Sequence, residues 1–413
     1  MSESRKPELL IPAGNLENLE VAIKYGADAV YIGGEAFGLR AKAKNFSLEE
    51  MSEGIRIAHE NNKKVYVTAN IFAHNDDLDE VKEYFAQLDK IKPDALIISD
   101  PGVYDIAMSV CPDIERHIST QSNNTNYGTA RFWYRQGARR IVTARELSLK
   151  EITEMRANIP DDMEIEAFVH GSMCISYSGR CLLSNFLTGR DANAGECTHP
   201  CRWKYTLMEE QRPGEYFPVF ENDRGTYIFN SKDLCMIEHI PELIGAGIDS
   251  FKVEGRMKNA LYVATVARTY RKAIDDFYES PEMYRENMDW YKDQIASCTY
   301  RGFTTGFFFG KPDAAAHIYD NSTYKKEAVY LGQIKKIDEN GRFVLYQKNK
   351  FCVGDEIEIM KPNGENIKTT VNGIYSADGQ AQESAPHSKQ EIHTELSMRA
   401  EIGDILRTIR EEA

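Results

Sequence analysis

The chain has 413 residues, 42% of them hydrophobic and 28% charged, which is enough apolar mass for one large domain and a smaller second one. A formal net charge of −14 argues against a broad nucleic-acid surface, because neutralising phosphates needs Lys and Arg on the contacting face, but it leaves room for a local basic pocket. The opening "MSESRKPELLIPAG" has no apolar h-region and no apolar run approaches the length of a membrane span, so a cytoplasmic protein with reduced cysteines and no membrane partner is expected.

Short apolar strands recur along the first two-thirds of the chain: "ELLIPA", "YGADAVYIGG", "KVYVTAN", "DALIISD", "HISTQ", "QGARRIVTAR", "EIEAFVHG" and "AGIDSFKVEGR". Three of them follow an amphipathic run that ends at a glycine suited to the left-handed position after a helix: Gly26, Gly137 and Gly247. Helical stretches such as "NLENLEVAIKYG" and "LDEVKEYFAQLDKI" lie between many of the strands. Eight βα units predict a TIM-type (β/α)8-like barrel over residues 1–270, with a doubly wound open sheet as the rival topology. In a barrel the strand ends gather at one rim, which here would carry Asn70, Asp100, Gln121, Arg145, His170, Glu254 and Arg256.

Residues 171–243 then form an oversized loop between the seventh and eighth strands, of a length usually reserved for function. Beyond the barrel, residues 271–326 read as a helical connection. From Glu327 to Ala413 the texture changes to period-two alternation with Gly-Asp and Asn-Gly turns, as in "AVYLGQIKKIDENGRFVLY" and "VGDEIEIMKPNGENI". That pattern predicts a small antiparallel β-barrel, and both a substrate grip and a plain packing module fit it. Local basic clusters occur at Arg40, Lys42 and Lys44, at Arg202 and Lys204, and at Arg256 and Lys258; each also reads as ordinary solvated surface.

Five of the eight cysteines fall close together: Cys174, Cys181, Cys197, Cys201 and Cys235. Cys111, Cys298 and Cys352 stand alone and read as small buried hydrophobes. In a reducing compartment, clustered thiols point to an iron–sulfur cluster or to zinc. Only "CTHPC" resembles a zinc knuckle and the other thiols are spread, which favours the larger cluster while leaving zinc open. A hydrolytic reading has less support. There is no G-x-S-x-G elbow and no H-E-x-x-H pair, and His170 with Cys174 as base and nucleophile is fixed by no geometry in the sequence.

The stretch "EAFVHGSMCISYSGRCLLS", continued by "GRDANAGECTHPCRWKY", resembles the signature of peptidase family U32, and the similarity runs from "LLIPAGNLENLEVAIKYGADAVYIGG" to the terminal module. Despite the family's label, the resemblance implies oxygen-independent hydroxylation with a [4Fe–4S] cluster. The substrate would be a tRNA wobble uridine, a ribosomal RNA cytidine or a quinone precursor. Chain length and the single terminal module place the nearest similarity with the tRNA type. By that resemblance Cys174, Cys181, Cys197 and Cys235 are the cluster ligands, with Cys201 as the alternative to Cys235. Prephenate, a dicarboxylate, is implied as co-substrate, and the tRNA anticodon loop and a smaller homologous U32-type protein as partners. Arg145 and Arg256, with Arg180, would then pair with carboxylates, and His170 and Glu254 would move protons. A protease acting on collagen-like substrates and a zinc-stabilised binding protein are the competing classes.

Overall fold

A computed structural model describes residues 6–35, 45–173, 232–298, 302–310 and 326–411, together with short stretches within 183–226. Of the sequence candidates, Arg40, Lys42, Lys44, Cys174, Arg180, Cys181, Cys197, Cys201, Arg202 and Lys204 lie outside the described residues.

The first seven strands are β1 (Glu8–Pro12), β2 (Ala29–Gly33), β3 (Lys64–Ala69), β4 (Ala95–Ile98), β5 (Glu115–Ile118), β6 (Arg140–Val142) and β7 (Glu164–Gly171). Helices α1 (Leu16–Lys24), α2 (Leu48–Glu60), α3 (Leu78–Ile91), α4 (Pro101–Val110), α5 (Tyr127–Arg135) and α6 (Leu149–Ala157) alternate with them. After the long loop come a short strand β8 (Asp233–Cys235) and then β9 (Ser250–Val253). Strand β9 pairs in parallel with both β1, Leu10 opposite Lys252, and β7, Phe251 opposite Ala167. That double pairing closes eight parallel strands into a TIM-type barrel and removes the open-sheet rival.

Local signals explain why the elements start and stop where they do. Ser47 and Ser148 close capping boxes with Glu50 and Glu151, and Asn126 accepts from the Thr129 N–H to cap α5. Gly26, Gly137 and Gly247 take φ of 108°, 89° and 78°, the left-handed conformation expected of them.

The barrel interior has two unlike halves. Leu10, Ala29, Tyr31, Tyr66, Ala95 and Ile97 form an apolar cluster on the side of β1 to β4. On the side of β5 to β9 the inward positions are charged. Arg140, 3% exposed, reaches Glu8 and Glu164 at 2.6 Å each and Glu166 at 3.0 Å, and Lys252 holds the fully buried Glu166 at 2.7 Å. His117 is completely buried, edge-on to Tyr66 with ring centroids 4.8 Å apart. Burial pushes the Glu8 carboxyl up, but the Arg140 charge, with hydrogen bonds from Arg140, Tyr66 and Ser250, outweighs it and holds the group down at about 2.

The chain divides into two compact units, the first comprising Met1–Ile23, Ala27–Lys258 and Arg301–Ser322, the second Lys24–Gly26, Asn259–Tyr300 and Thr323–Ala413. The second unit thus takes in α7 (Ala260–Glu279) and the short helices over Pro281–Glu286 and Met288–Ala296. Its sheet is an antiparallel barrel of six strands, Lys326–Ile337, Phe343–Tyr346, Glu356–Met360, Asn366–Ser376, Glu391–Leu396 and Ile405–Glu411. Closure comes from Glu356–Met360, which pairs with both Asn366–Ser376 and Ile405–Glu411. Leu331, Ile334, Leu345, Ile359, Val371 and Leu406 fill it. No helix among the described residues is long and apolar enough to cross a membrane.

Candidate functional site

The mouth of the first unit's barrel, where the strands end, is built around β7. Inward positions on this strand alternate Glu166, Phe168, His170, so one strand carries a buried charge, a ring and an imidazole upward in order. It ends at Gly171, with φ of 110°, where a Cβ would lie 2.5 Å from the Glu254 carbonyl oxygen. Only glycine permits that approach, which lets the Glu254 N–H donate to the His170 carbonyl at 2.8 Å. The register of β9 against β7 shifts between Lys252 and Val253, an irregularity that falls where β9 leads into Glu254.

His170 is 2% exposed. Burial pushes its imidazole down to about 4, Lys258 acting in the same direction and Asp233 against it, so the ring is uncharged at neutral pH. On its other side β8 runs antiparallel to β7, setting Cys235 opposite His170 and Leu234 opposite Gly171. Cys235 is a buried thiol outside any disulfide. A further strand, β10 (Phe303–Thr304), adds in parallel to β8 and brings the Phe303 ring within 6.2 Å of His170 between centroids.

Arg145, just beyond β6, donates from Nη2 to Glu254 Oε2 at 3.0 Å and from Nη1 to the Ser172 carbonyl at 2.8 Å. Its guanidinium lies 3.9 Å from the centroid of the Phe168 ring, whose neighbour below is the Lys252 ammonium at 5.4 Å. Phe168 is therefore the floor between the mouth and the buried charges. Arg256 takes a different partner: its Nη1 donates to Thr68 Oγ1 at 3.2 Å. Gly33 makes that place available, since a Cβ there would fall 1.8 Å from Arg256 Nη1.

The structure thus gathers His170, Arg145, Glu254 and Cys235 around the ends of β6 to β9, and sets Arg256 against β3. Of the other rim candidates, Asp100 accepts from the Gly102 and Val103 N–H groups and so caps α4. Asn70 donates to Ser119 Oγ at 3.3 Å, and the same hydroxyl accepts from the Gln121 N–H at 3.4 Å. Thr68, Ser119, Phe168, Asp233 and Phe303 were not singled out by sequence. Thr68 and Ser119 sit two residues before the end of a predicted strand and Phe168 three, and inward parity with Tyr66, His117 and Glu166 was the signal that marked them; Asp233 falls in the stretch read as a loop. Among the described residues no group of three His, Cys, Asp or Glu side chains converges as a metal site.

A parallel barrel with a polar, partly charged mouth and a buried thiol beside it defines an enzyme-like scaffold of the TIM-barrel class. The family model for Peptidase family U32 matches residues 14–318, and that for the Peptidase family U32 C-terminal domain matches residues 326–407. The chain belongs to peptidase family U32. It is 40% identical over 98% of its length to "tRNA hydroxylation protein P1" of Bacillus subtilis (strain 168), covering 95% of that protein. Similarity to "tRNA hydroxylation protein P" of Escherichia coli (strain K12) is 38% with 92% of each chain covered. A Methanocaldococcus jannaschii protein named as an uncharacterized protease is 45% identical, over 89% of this chain and 93% of its own.

Proposed function

We propose that this protein hydroxylates the wobble uridine of tRNA to 5-hydroxyuridine in the cytoplasm, without molecular oxygen, with prephenate as co-substrate and a [4Fe–4S] cluster bound to Cys174, Cys181, Cys197 and Cys235. The observation that carries this reading is near full-length similarity, through both units, to proteins named for tRNA hydroxylation. Cys235 suits a ligand's place: it is a buried thiol at the barrel mouth, in register with His170. Four thiolates satisfy such a cluster, which when bound supplies one-electron transfer beside the substrate.

The chain's own residues divide the remaining work. Arg145 and Arg256, on different sides of the mouth, offer guanidinium groups to the two carboxylates of the co-substrate. Binding at Arg145 has to draw that guanidinium away from Glu254, which frees the Glu254 carboxylate for proton transfer alongside His170. An anticodon base is already unpaired, so presenting it to the mouth costs less than flipping it out of a duplex. The acidic surface then matters little, because one pocket of cations with the C-terminal barrel as a second grip suffices. A smaller homologous protein is the proposed accessory partner.

Cells that carry this chain as their sole family member provide the test. Blocking prephenate synthesis in them is expected to bring 5-hydroxyuridine-derived nucleosides in digested tRNA down to the level of cells lacking the chain. Unchanged modification after the block contradicts the assignment of prephenate.

A further inference from the structure

Three unsatisfied amide oxygens lie around Ser119 in the first unit's barrel. Asn70 Oδ1, Gln121 Oε1 and Asn124 Oδ1 are all shielded from water without a hydrogen-bond partner. Buried acceptors of this kind are costly, and a site that keeps several together is built for a ligand that supplies donors. The Asn124 amide cannot turn to relieve the problem, because its Nδ2 already donates to the carbonyls of Ser119 at 2.9 Å and Val142 at 2.8 Å.

Topology sets where these amides stand. Asn70 follows β3 and Ser119 follows β5, so the hydrogen bond between their side chains passes over the end of β4 on the inner side of the barrel. The Gln121 N–H shares the same Ser119 hydroxyl, which gathers Asn70 and Gln121 into one patch. The Gln121 carboxamide makes no hydrogen bond to another described residue, and both side chains are only partly covered. Rotation about the broad terminal torsion of Gln121 turns its amide toward the mouth, while Asn70 stays bonded to Ser119. In the closed ring of eight strands β4 stands diametrically opposite β9, the strand that leads to Glu254. The amide patch over β4 therefore faces Glu254 across the opening, with the neutral His170 imidazole on the strand beside Glu254 and Arg145 following β6, next to the patch.

We propose that Gln121, steadied by Ser119 and Asn70, is the specificity residue that reads the edge of the pyrimidine base. This inference rests on the reading of the protein as a tRNA hydroxylase and adds to it the surface that selects the base. A carboxamide presents one acceptor beside one donor. The uracil edge presents N3–H beside the O2 carbonyl, which is its complement. Carbon 5 lies across the ring from carbon 2, so a base held by its N3–H and O2 edge turns carbon 5 toward the opposite side, where Glu254 stands. None of Gln121, Asn70 and Asn124 carries charge, as suits a neutral heterocycle.

The test uses a strain lacking every member of the family, carrying the full-length chain or its variants at equal protein levels. Gln121→Ala is expected to lower the modified fraction of tRNA at least about tenfold, because a reading site without its partner leaves the base edge unpaired. Affinity for unmodified tRNA should stay within about twofold, since phosphate contacts dominate it. Gln121→Glu, nearly the same size, replaces the donor by an acceptor that faces the O2 carbonyl and should fall at least as far. Restoration by either variant to within about twofold of the wild-type chain overturns the inference, as does a loss of tRNA affinity in proportion to the loss of modification. A wild-type chain that restores nothing overturns the tRNA reading itself, and this inference falls with it.

Discussion

Arg140→Met is expected to cost the first unit about 3–5 kcal/mol of stability, because it leaves the carboxylates of Glu8, Glu164 and Glu166 facing one another around an apolar side chain. Breaking one partner of a buried ionic group is far worse than never having had it. The double variant Arg140→Met with Glu8→Gln should recover part of the loss, since it removes one of the stranded charges. Chemical denaturation measures both, and a single-variant loss below about 1 kcal/mol would show the network to be marginal.

The same network fixes how the fold responds to acid. The folded Glu8 carboxyl, held at about 2, lies below its ordinary value of 4.5, so its contribution is present in full above 4.5 and lost as pH falls toward 2. By linkage that contribution is about 3 kcal/mol. His117 acts in the same direction. Burial, with Arg140 beside it, depresses its imidazole, so the unfolded chain takes up a proton near its ordinary 6.5 that the folded chain refuses. In Arg140→Met, denaturation midpoints should depend less on pH between roughly 2 and 4.5 than in the wild-type protein.

The second large effect is expected in the long loop. Cys174→Ala, Cys181→Ala and Cys197→Ala should each abolish cluster assembly, read as iron and acid-labile sulfide after anaerobic purification, because clusters left with three thiolates are labile. Cys235→Ala should do the same and Cys201→Ala should retain most of the iron. The opposite pattern at the last two positions would move the fourth ligand to Cys201. Full iron and sulfide in any of the first three variants would remove that residue from the ligand set.

The barrel was legible because its punctuation is local. Each of Gly26, Gly137 and Gly247 ends a helix in a conformation that other residues resist, and an apolar strand follows at once. The charged interior was not legible. Segments such as "ERHI", "ARRIV" and "SFKV" carry Arg, His, Glu and Lys at positions that read as solvent-facing, and only the closed ring of strands turns them inward to pair with one another. Strand β10 was equally hidden, since two residues show no alternation and its partner β8 lies some seventy residues earlier.

For the site, sequence position placed His170, Arg145 and Glu254 at one rim, and the structure brings them to neighbouring strand ends. It could not separate Arg256, which shares the strand-end segment of Glu254 but reaches Thr68 through the space that Gly33 leaves open. Asp100 carried its own signal, an Asp directly before a proline at a helix start, which marks a cap. Roles for Asn70 and Gln121 depend on a hydrogen bond that skips a strand, which no linear pattern encodes.

The central claim, hydroxylation of the tRNA wobble uridine, is tested most directly by mass spectrometry of digested tRNA from a strain with no remaining family member, with and without this chain. The account predicts that 5-hydroxyuridine-derived nucleosides are absent from the strain, return with the wild-type chain and do not return with Cys181→Ala. Wobble modification that persists without any family member, or that the wild-type chain fails to restore, would contradict it.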